Sequence, residues 1–164
     1  KIKTNRIATS KWKNDKLESI TDTNGWWEAG DLAQYITLDN RKAIQILGRR
    51  DSAITSGGET IFPEDIEMEL TKIIRKNQIP IKEIFVLGVS DKKWGQRLVV
   101  LIKFQEKRIN RYVIISLLTD LIKDWQSSKK PMKWYDCPKL SRNINKKWEV
   151  KKWQKWVDLN RPIN

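Results

Sequence analysis

Three short blocks bring chemistry-bearing side chains together with residues that let a backbone turn sharply. In Ala29-Gly30-Asp31 a carboxylate follows a glycine, just after the aromatic pair Trp26-Trp27. A carboxylate displayed from such a turn can accept hydrogen bonds from two adjacent hydroxyls, as on a ribose. Gly48-Arg49-Arg50-Asp51 is followed by Ser56-Gly57-Gly58-Glu59 and then by Pro63-Glu64-Asp65-Ile66-Glu67. Arg49 offers a fixed fork of donors for phosphate or hydroxyl oxygens, and paired glycines allow a backbone to approach another chain or a ligand closely. The third block is Leu140-Ser141-Arg142-Asn143-Ile144-Asn145-Lys146-Lys147-Trp148. A lysine on a loop just before a helix can swing its ammonium into a neighbouring site. Taken singly, a Gly-Asp turn, a surface loop and a solvated basic bend are the more common readings of the three blocks.

Composition removes several chemistries. The chain has no histidine, which excludes a Ser-His-Asp triad, a His-ligated metal and an imidazole base. No metal-ligating residues are expected. The single cysteine, Cys137, has no partner for an internal disulfide, which fits a reducing cytoplasm, and with no histidine to activate it the thiol is expected to be inert. The longest purely apolar run, Leu98 to Ile102, is five residues, against the ~20 needed to span a bilayer, so no membrane partner is expected. At 164 residues, 39% of them apolar, the chain is long enough to bury a core without disulfide or metal staples. The first residue is Lys, and the first thirty contain no continuous apolar segment of the kind found in a signal peptide. The chain is expected to be a piece of a longer protein, or a processed one.

The net charge of +13 supports two readings. A basic surface with nine tryptophans suits phosphates and stacked bases, hence a nucleic-acid-binding module. Abundant Ile, Asn and Lys also follow from coding DNA rich in A and T. No Arg-Gly repeat, zinc knuckle or aromatic RNA-binding signature accompanies the charge.

The elements that must position these blocks follow from periodicity. Trp26-Trp27-Glu28 gives a short aromatic strand signal. Leu32 to Thr37 and Ala43 to Leu47 flank the turn pair Asp39-Asn40 and read as a β-hairpin closed by Gly48. Pro63 suits the first position of a helix, Glu64, Asp65 and Glu67 suit its positive end, and Ile66, Leu70, Ile73 and Ile74 form one apolar stripe. Glu83 to Val89 and Leu98 to Phe104 are β-rich runs. A second helix is expected from about Arg111 to Trp125, an extended segment between Pro131 and Pro138, and a last helix from about Trp148 to Val157, with Val150, Trp153, Trp156 and Val157 on one arc. This order is α+β.

Taken in sequence, the blocks resemble the C-terminal end of the adenylate-forming acyl-CoA synthetases. The family's Thr/Ser-Gly-Asp motif matches Ala29-Gly30-Asp31. Its Gly-Arg-x-Asp/Lys hinge, Gly-Gly loop and Pro-x-x-Ile-Glu segment match Gly48 to Glu67. Its Pro-Arg-Asn-x-x-Gly-Lys motif is similar to Ser141 to Lys147, and its Asp-x-x-Trp-Gly turn resembles Asp91 to Gly95. The likeness covers about Gly25 to Val157. Within the family, Ser56-Gly57-Gly58-Glu59-Thr60-Ile61-Phe62-Pro63-Glu64 is most similar to 2-succinylbenzoate–CoA ligases, and the Trp-rich ending looks like the form of oxygenic phototrophs, where the product feeds phylloquinone synthesis.

The resemblance implies a small mobile C-terminal lid domain over residues 49–164, preceded by a β-hairpin remnant of the large AMP-binding domain over 1–48. It implies ATP-dependent acyl-adenylate formation, then thioester formation with CoA, releasing pyrophosphate and AMP. Asp31 would hold the ribose hydroxyls and Arg49 would support the nucleotide. Lys147 would be the catalytic lysine of adenylation, Asp51 the hinge, and Gly57 and Gly58 would face the pantetheine of CoA. The implied partners are a small-molecule carboxylate, ATP, CoA and the large N-terminal domain of the same protein, which would also hold most of the Mg²⁺ contacts; nucleic acid is disfavoured as a partner, and the isolated fragment is expected to be inactive. Ala29 stands where the family has a hydroxyl residue. Lys146 stands where it has a glycine, which leaves the register of Lys146 and Lys147 open. A ligase for another aromatic or fatty acid is the alternative within the class.

Overall fold

Tight two-residue turns build the first of two units in the computed structural model, which describes residues 1–106 and 108–163. The units are Lys1–Ser52 and Ala53–Asn164. In the first, β1 (Ser10–Lys13) and β2 (Lys16–Ser19) pair antiparallel around Asn14-Asp15, and β3 (Asp31–Leu38) and β4 (Arg41–Arg49) pair antiparallel around Asp39-Asn40. All four turn residues have positive φ, 48° to 60°. Such turns match the twist of the flanking strands, and Asn and Asp tolerate them better than other non-glycine residues.

The β3–β4 hairpin is the one expected, except that β4 continues through Gly48 to Arg49. The β1–β2 hairpin was not anticipated, because four-residue strands carrying several charges show too little alternation. The strand expected at Trp26-Trp27 is absent. There the Asp22 carboxylate accepts from the backbone N–H of Asn24 and Trp26, at 3.0 and 2.9 Å, and folds the chain into a turn. Trp27 makes only isolated bridges to Ile2 and Thr21. Among the described residues, no apolar side chain of this unit is buried, and Trp12, Tyr35, Ile44 and Ile46 are 65–82% exposed.

The second unit contains β5 (Ile54–Ser56), β6 (Glu59–Ile61), α1 (Pro63–Lys76), β7 (Ile81–Asp91), β8 (Gly95–Phe104), α2 (Arg111–Leu121), β9 (Lys133–Asp136) and α3 (Val150–Leu159). The sheet order is β6-β5-β8-β7, and β9 runs parallel to β8 over Val99 to Ile102. Every residue from Leu98 to Ile102 is fully buried, so both faces of β8 must be covered. Alternation divides the labour. Leu98, Val100 and Ile102 join Ile84 and Val86 beneath Ile66, Leu70 and Ile74 of α1 and Ile114, Ile115 and Leu118 of α2. Val99 and Leu101 join Phe85, Leu87 and Tyr135 against Trp153 and Val157 of α3.

The architecture is therefore α+β, a mixed sheet with three helices. α2 stops at Leu121, short of the expected Trp125, yet Ile122 is buried and Trp125 packs on the core from the turns that follow. In α3 Val150 is exposed, so the buried arc is narrower than the sequence suggests. Leu70 is fully enclosed at the centre of α1. Leu70→Ala is expected to destabilise this unit by about 2–5 kcal/mol, read as a lowered urea midpoint at unchanged slope.

Candidate functional site

Asp31 begins β3 and Arg49 ends β4, and the hairpin register sets them directly opposite each other. The Arg49 guanidinium lies 3.5 Å from Asp31 Oδ1, donates to Asp51 Oδ1 at 3.1 Å through Nε, and donates to the Ala29 carbonyl at 2.8 Å through Nη1. One arginine thus ties together both sides of the first block and the residue expected to act as hinge. Gly30 has φ +77°, and a Cβ there would stand 3.0 Å from Arg49 Nη2, so glycine is needed both for the turn and for the guanidinium beside it. Next to this cluster Arg50 pairs with Glu28 at 2.5 Å, and Ser52 Oγ donates to the Arg49 carbonyl at 3.0 Å. The hydrogen bond from Arg49 holds the Asp51 carboxyl below the ordinary aspartate value and pushes the guanidinium up.

The expected glycine pair forms the turn between β5 and β6. Gly57 and Gly58 have φ of +60° and +87°, and the Gly57 N–H donates to the Trp94 carbonyl at 3.0 Å. A Cβ on Gly57 would fall 2.6 Å from the Trp94 ring. Trp94 is itself fixed by Asp91, whose Oδ1 accepts from the N–H of Trp94 at 2.8 Å and of Lys93 at 2.9 Å, which holds that carboxyl below its usual range. The Arg97 guanidinium covers the Trp94 ring at 4.8 Å. Two sequence blocks read separately, the glycine loop and the Asp91 to Gly95 turn, are therefore one structural feature.

Lys147 sits on a turn closed by Asn143. The Asn143 side chain accepts from the N–H of Asn145 and of Lys147, both at 3.0 Å, while the Asn143 N–H donates to the Lys147 carbonyl at 2.9 Å. Lys146 has φ +58°, the left-handed conformation that glycine adopts most readily. The Lys147 side chain is exposed, with no hydrogen bond or ion pair among the described residues. On either side of it Arg142 and Trp148 both reach the Glu67 carboxylate. Burial pushes the Glu67 carboxyl above the ordinary glutamate range, against the lowering effect of its hydrogen bonds and of Arg142. The sequence places Glu67 among the acids at the start of α1 and at the end of the Pro-x-x-Ile-Glu segment, but nothing in it pairs Glu67 with Arg142 or Trp148.

Cys137 is buried, and its thiol is pushed up to about 11, mainly by that burial, as suits an inert cysteine. Among the described residues no three acidic or cysteine side chains converge as a metal site, and no helix is long and apolar enough to cross a membrane.

Two outcomes test this geometry. Lys146→Gly should raise stability by up to about 1 kcal/mol, because relief of a ~1–2 kcal/mol left-handed cost exceeds the ~0.4–1 kcal/mol of added unfolded-state entropy; a higher urea midpoint would show it. The Asp51 carboxyl should titrate below 3.8 by NMR and move up in Arg49→Met. Since its folded value is depressed, its contribution to stability is present above 3.8 and fades as the pH falls through the folded value.

No protein-family model matches the chain. Curated proteins and solved structures do. The chain is 27% identical over 151 residues to a 2-succinylbenzoate–CoA ligase of Escherichia coli, covering 87% of the chain and 30% of that protein. It is 31% identical over 152 residues to a protein of the same name from Staphylococcus epidermidis, covering 90% and 28%. The o-succinylbenzoate CoA synthetase of Bacillus subtilis, solved with an acyl-adenylate intermediate, superposes with a TM-score of 0.63 at 30% identity, covering 82% of the chain and 25% of that structure. The chain spans less than a third of the length of these relatives. In sequence over most of its length and in fold, the chain is similar to adenylate-forming acyl-CoA synthetases and matches their C-terminal portion.

Proposed function

We propose that this chain is the C-terminal part of an ATP-dependent acid–thiol ligase that converts 2-succinylbenzoate to its CoA thioester in quinone biosynthesis in the cytoplasm. The observation that carries the reading is the pair Lys146-Lys147. Lys146 stands in the family's glycine position and takes a glycine-like φ of +58°, which supports reading Lys147 as the lysine of the motif. The exposed apolar side chains of the first unit fit an origin as the last hairpin of a larger domain, because an isolated hairpin is marginal in water.

In the first half-reaction the substrate carboxylate oxygen attacks the α-phosphorus of ATP and pyrophosphate leaves. In the second, the CoA thiolate attacks the acyl carbonyl carbon and AMP leaves. Asp31 accepts hydrogen bonds from the ribose hydroxyls, and Arg49, already fixed across the hairpin, holds that carboxylate in place and turns its remaining donors to the nucleotide. The Lys147 ammonium bridges the attacking carboxylate and the α-phosphate, where negative charge crowds in the transition state. Mg²⁺ would neutralise the triphosphate; the described residues here supply no cluster to hold it, and none of these steps depends on a metal ligand from this chain. Asp51 is the pivot at which the second unit is re-aimed between half-reactions, with the Gly57-Gly58 turn then serving the pantetheine.

The test is AMP release by the complete ligase with ATP, Mg²⁺, CoA and 2-succinylbenzoate, wild type beside Lys147→Ala. Loss of such a preorganised donor typically costs about 2.7–4 kcal/mol, so the variant should be slower by roughly a hundredfold or more. Activity with a different carboxylate only would keep the ligase and replace the substrate, and full activity of Lys147→Ala would remove the assignment of the lysine.

A further inference from the structure

Arg142 lies five residues before Lys147 and Trp148 immediately after it, and both converge on one carboxylate. Arg142 Nη2 donates to Glu67 Oε1 at 3.3 Å, and its Nε donates to Glu83 Oε1 at 3.3 Å. Trp148 Nε1 donates to the same Glu67 Oε1 at 3.3 Å. The Arg142 guanidinium also lies 4.2 Å from the centroid of the Trp148 ring, which stacks on Phe85 of the core at 4.5 Å with the planes 25° apart. Glu67 is anchored in turn, because its Oε2 accepts from the Val86 N–H at 3.2 Å. It therefore bridges α1 and β7, the two elements on which the loop rests.

A lysine that must reach a phosphate oxygen gains little from reach alone. Its backbone must hold one height and one direction, since a 1 Å misplacement can slow a reaction about 100-fold. Between its two anchors the loop is closed internally by Asn143, so the backbone that carries Lys147 is held while its side chain is exposed. We propose that Glu67, Glu83, Arg142 and Trp148 form a positioning device that presents Lys147 for adenylation and has no part in thioester formation. This rests on the assignment of Lys147 made above.

The test separates the half-reactions in the complete ligase. Adenylation is read as carboxylate-dependent pyrophosphate release, and thioester formation as CoA consumption with supplied acyl-adenylate. Arg142→Met should lower kcat of adenylation on the order of 10- to 100-fold, leave KM for ATP and the second half-reaction unchanged, and have no further effect in a Lys147→Ala background. Arg142→Lys, which keeps the charge and loses the fork, should fall between wild type and Arg142→Met. Unchanged adenylation in Arg142→Met would overturn the proposal. So would equal loss in both half-reactions, or a loss that multiplies with that of Lys147→Ala. Full adenylation by Lys147→Ala would instead remove the lysine assignment, and the positioning role with it.

Discussion

Burial of both faces of β8 is the constraint from which the second unit is built. Five successive apolar residues cannot face water on either side, so α1 and α2 must cover one face and α3 the other. The crossing from β9 to α3 then has to run past the sheet, and that crossing is the segment carrying Lys147. The side chains that pin it, Phe85 beneath Trp148 and Glu67 beside Arg142, belong to the same strand and helix that make the core. Packing and site geometry are therefore one problem here. A repacking of α1 against β7 would move Glu67, and with it the loop.

Glu67 shows how polar and apolar demands are reconciled at that edge. Its carboxyl is raised by burial, an unfavourable setting for a charge at neutral pH. Three donors offset this: the Val86 N–H, the Trp148 indole N–H and the Arg142 guanidinium. A satisfied, partly buried carboxylate of this kind favours one arrangement of its neighbours over others, because each alternative leaves a half-buried charge unpaired. Conformational specificity of the loop follows from the cost of misplacing it, without any single strong bond.

Much of this was legible in the sequence, and the reasons differ from element to element. The α1 helix announces itself by Pro63, its first-turn acids and a regular apolar stripe, and it runs over Pro63–Lys76. The β7 and β8 strands appear as apolar runs, though each extends beyond its run into polar residues that continue the ladder. The β1–β2 hairpin is illegible because its register is set by backbone turns at Asn14-Asp15 and not by a buried face. Trp26-Trp27 misleads for the opposite reason: aromatic strand propensity yields there to the side chain of Asp22. Within the candidate site, the motif residues can be named from the sequence, but their grouping cannot. That Arg49 joins Asp31 to Asp51, or that Gly57 stands against Trp94, depends on strand register and on turn conformations fixed by long-range contacts.

The register of the two lysines is open on sequence grounds, and the positive φ of Lys146 supports the reading proposed here. Reading Lys146 as the functional lysine would place Asn145 in the glycine position and leave Lys146, with its positive φ, as an unexplained strained residue. With Lys147 as the functional lysine, the strain falls on the one position where the related motif has a glycine, and the lysine itself needs no unusual backbone. The substitution of Lys for Gly at 146 then has a physical cost that the turn tolerates because Asn143 closes it from both directions, accepting from Lys147 through its side chain and donating to the Lys147 carbonyl through its backbone. Closure of the turn and the anchors at Arg142 and Trp148 thus act on the backbone of the same residue, while its four-carbon stem stays exposed.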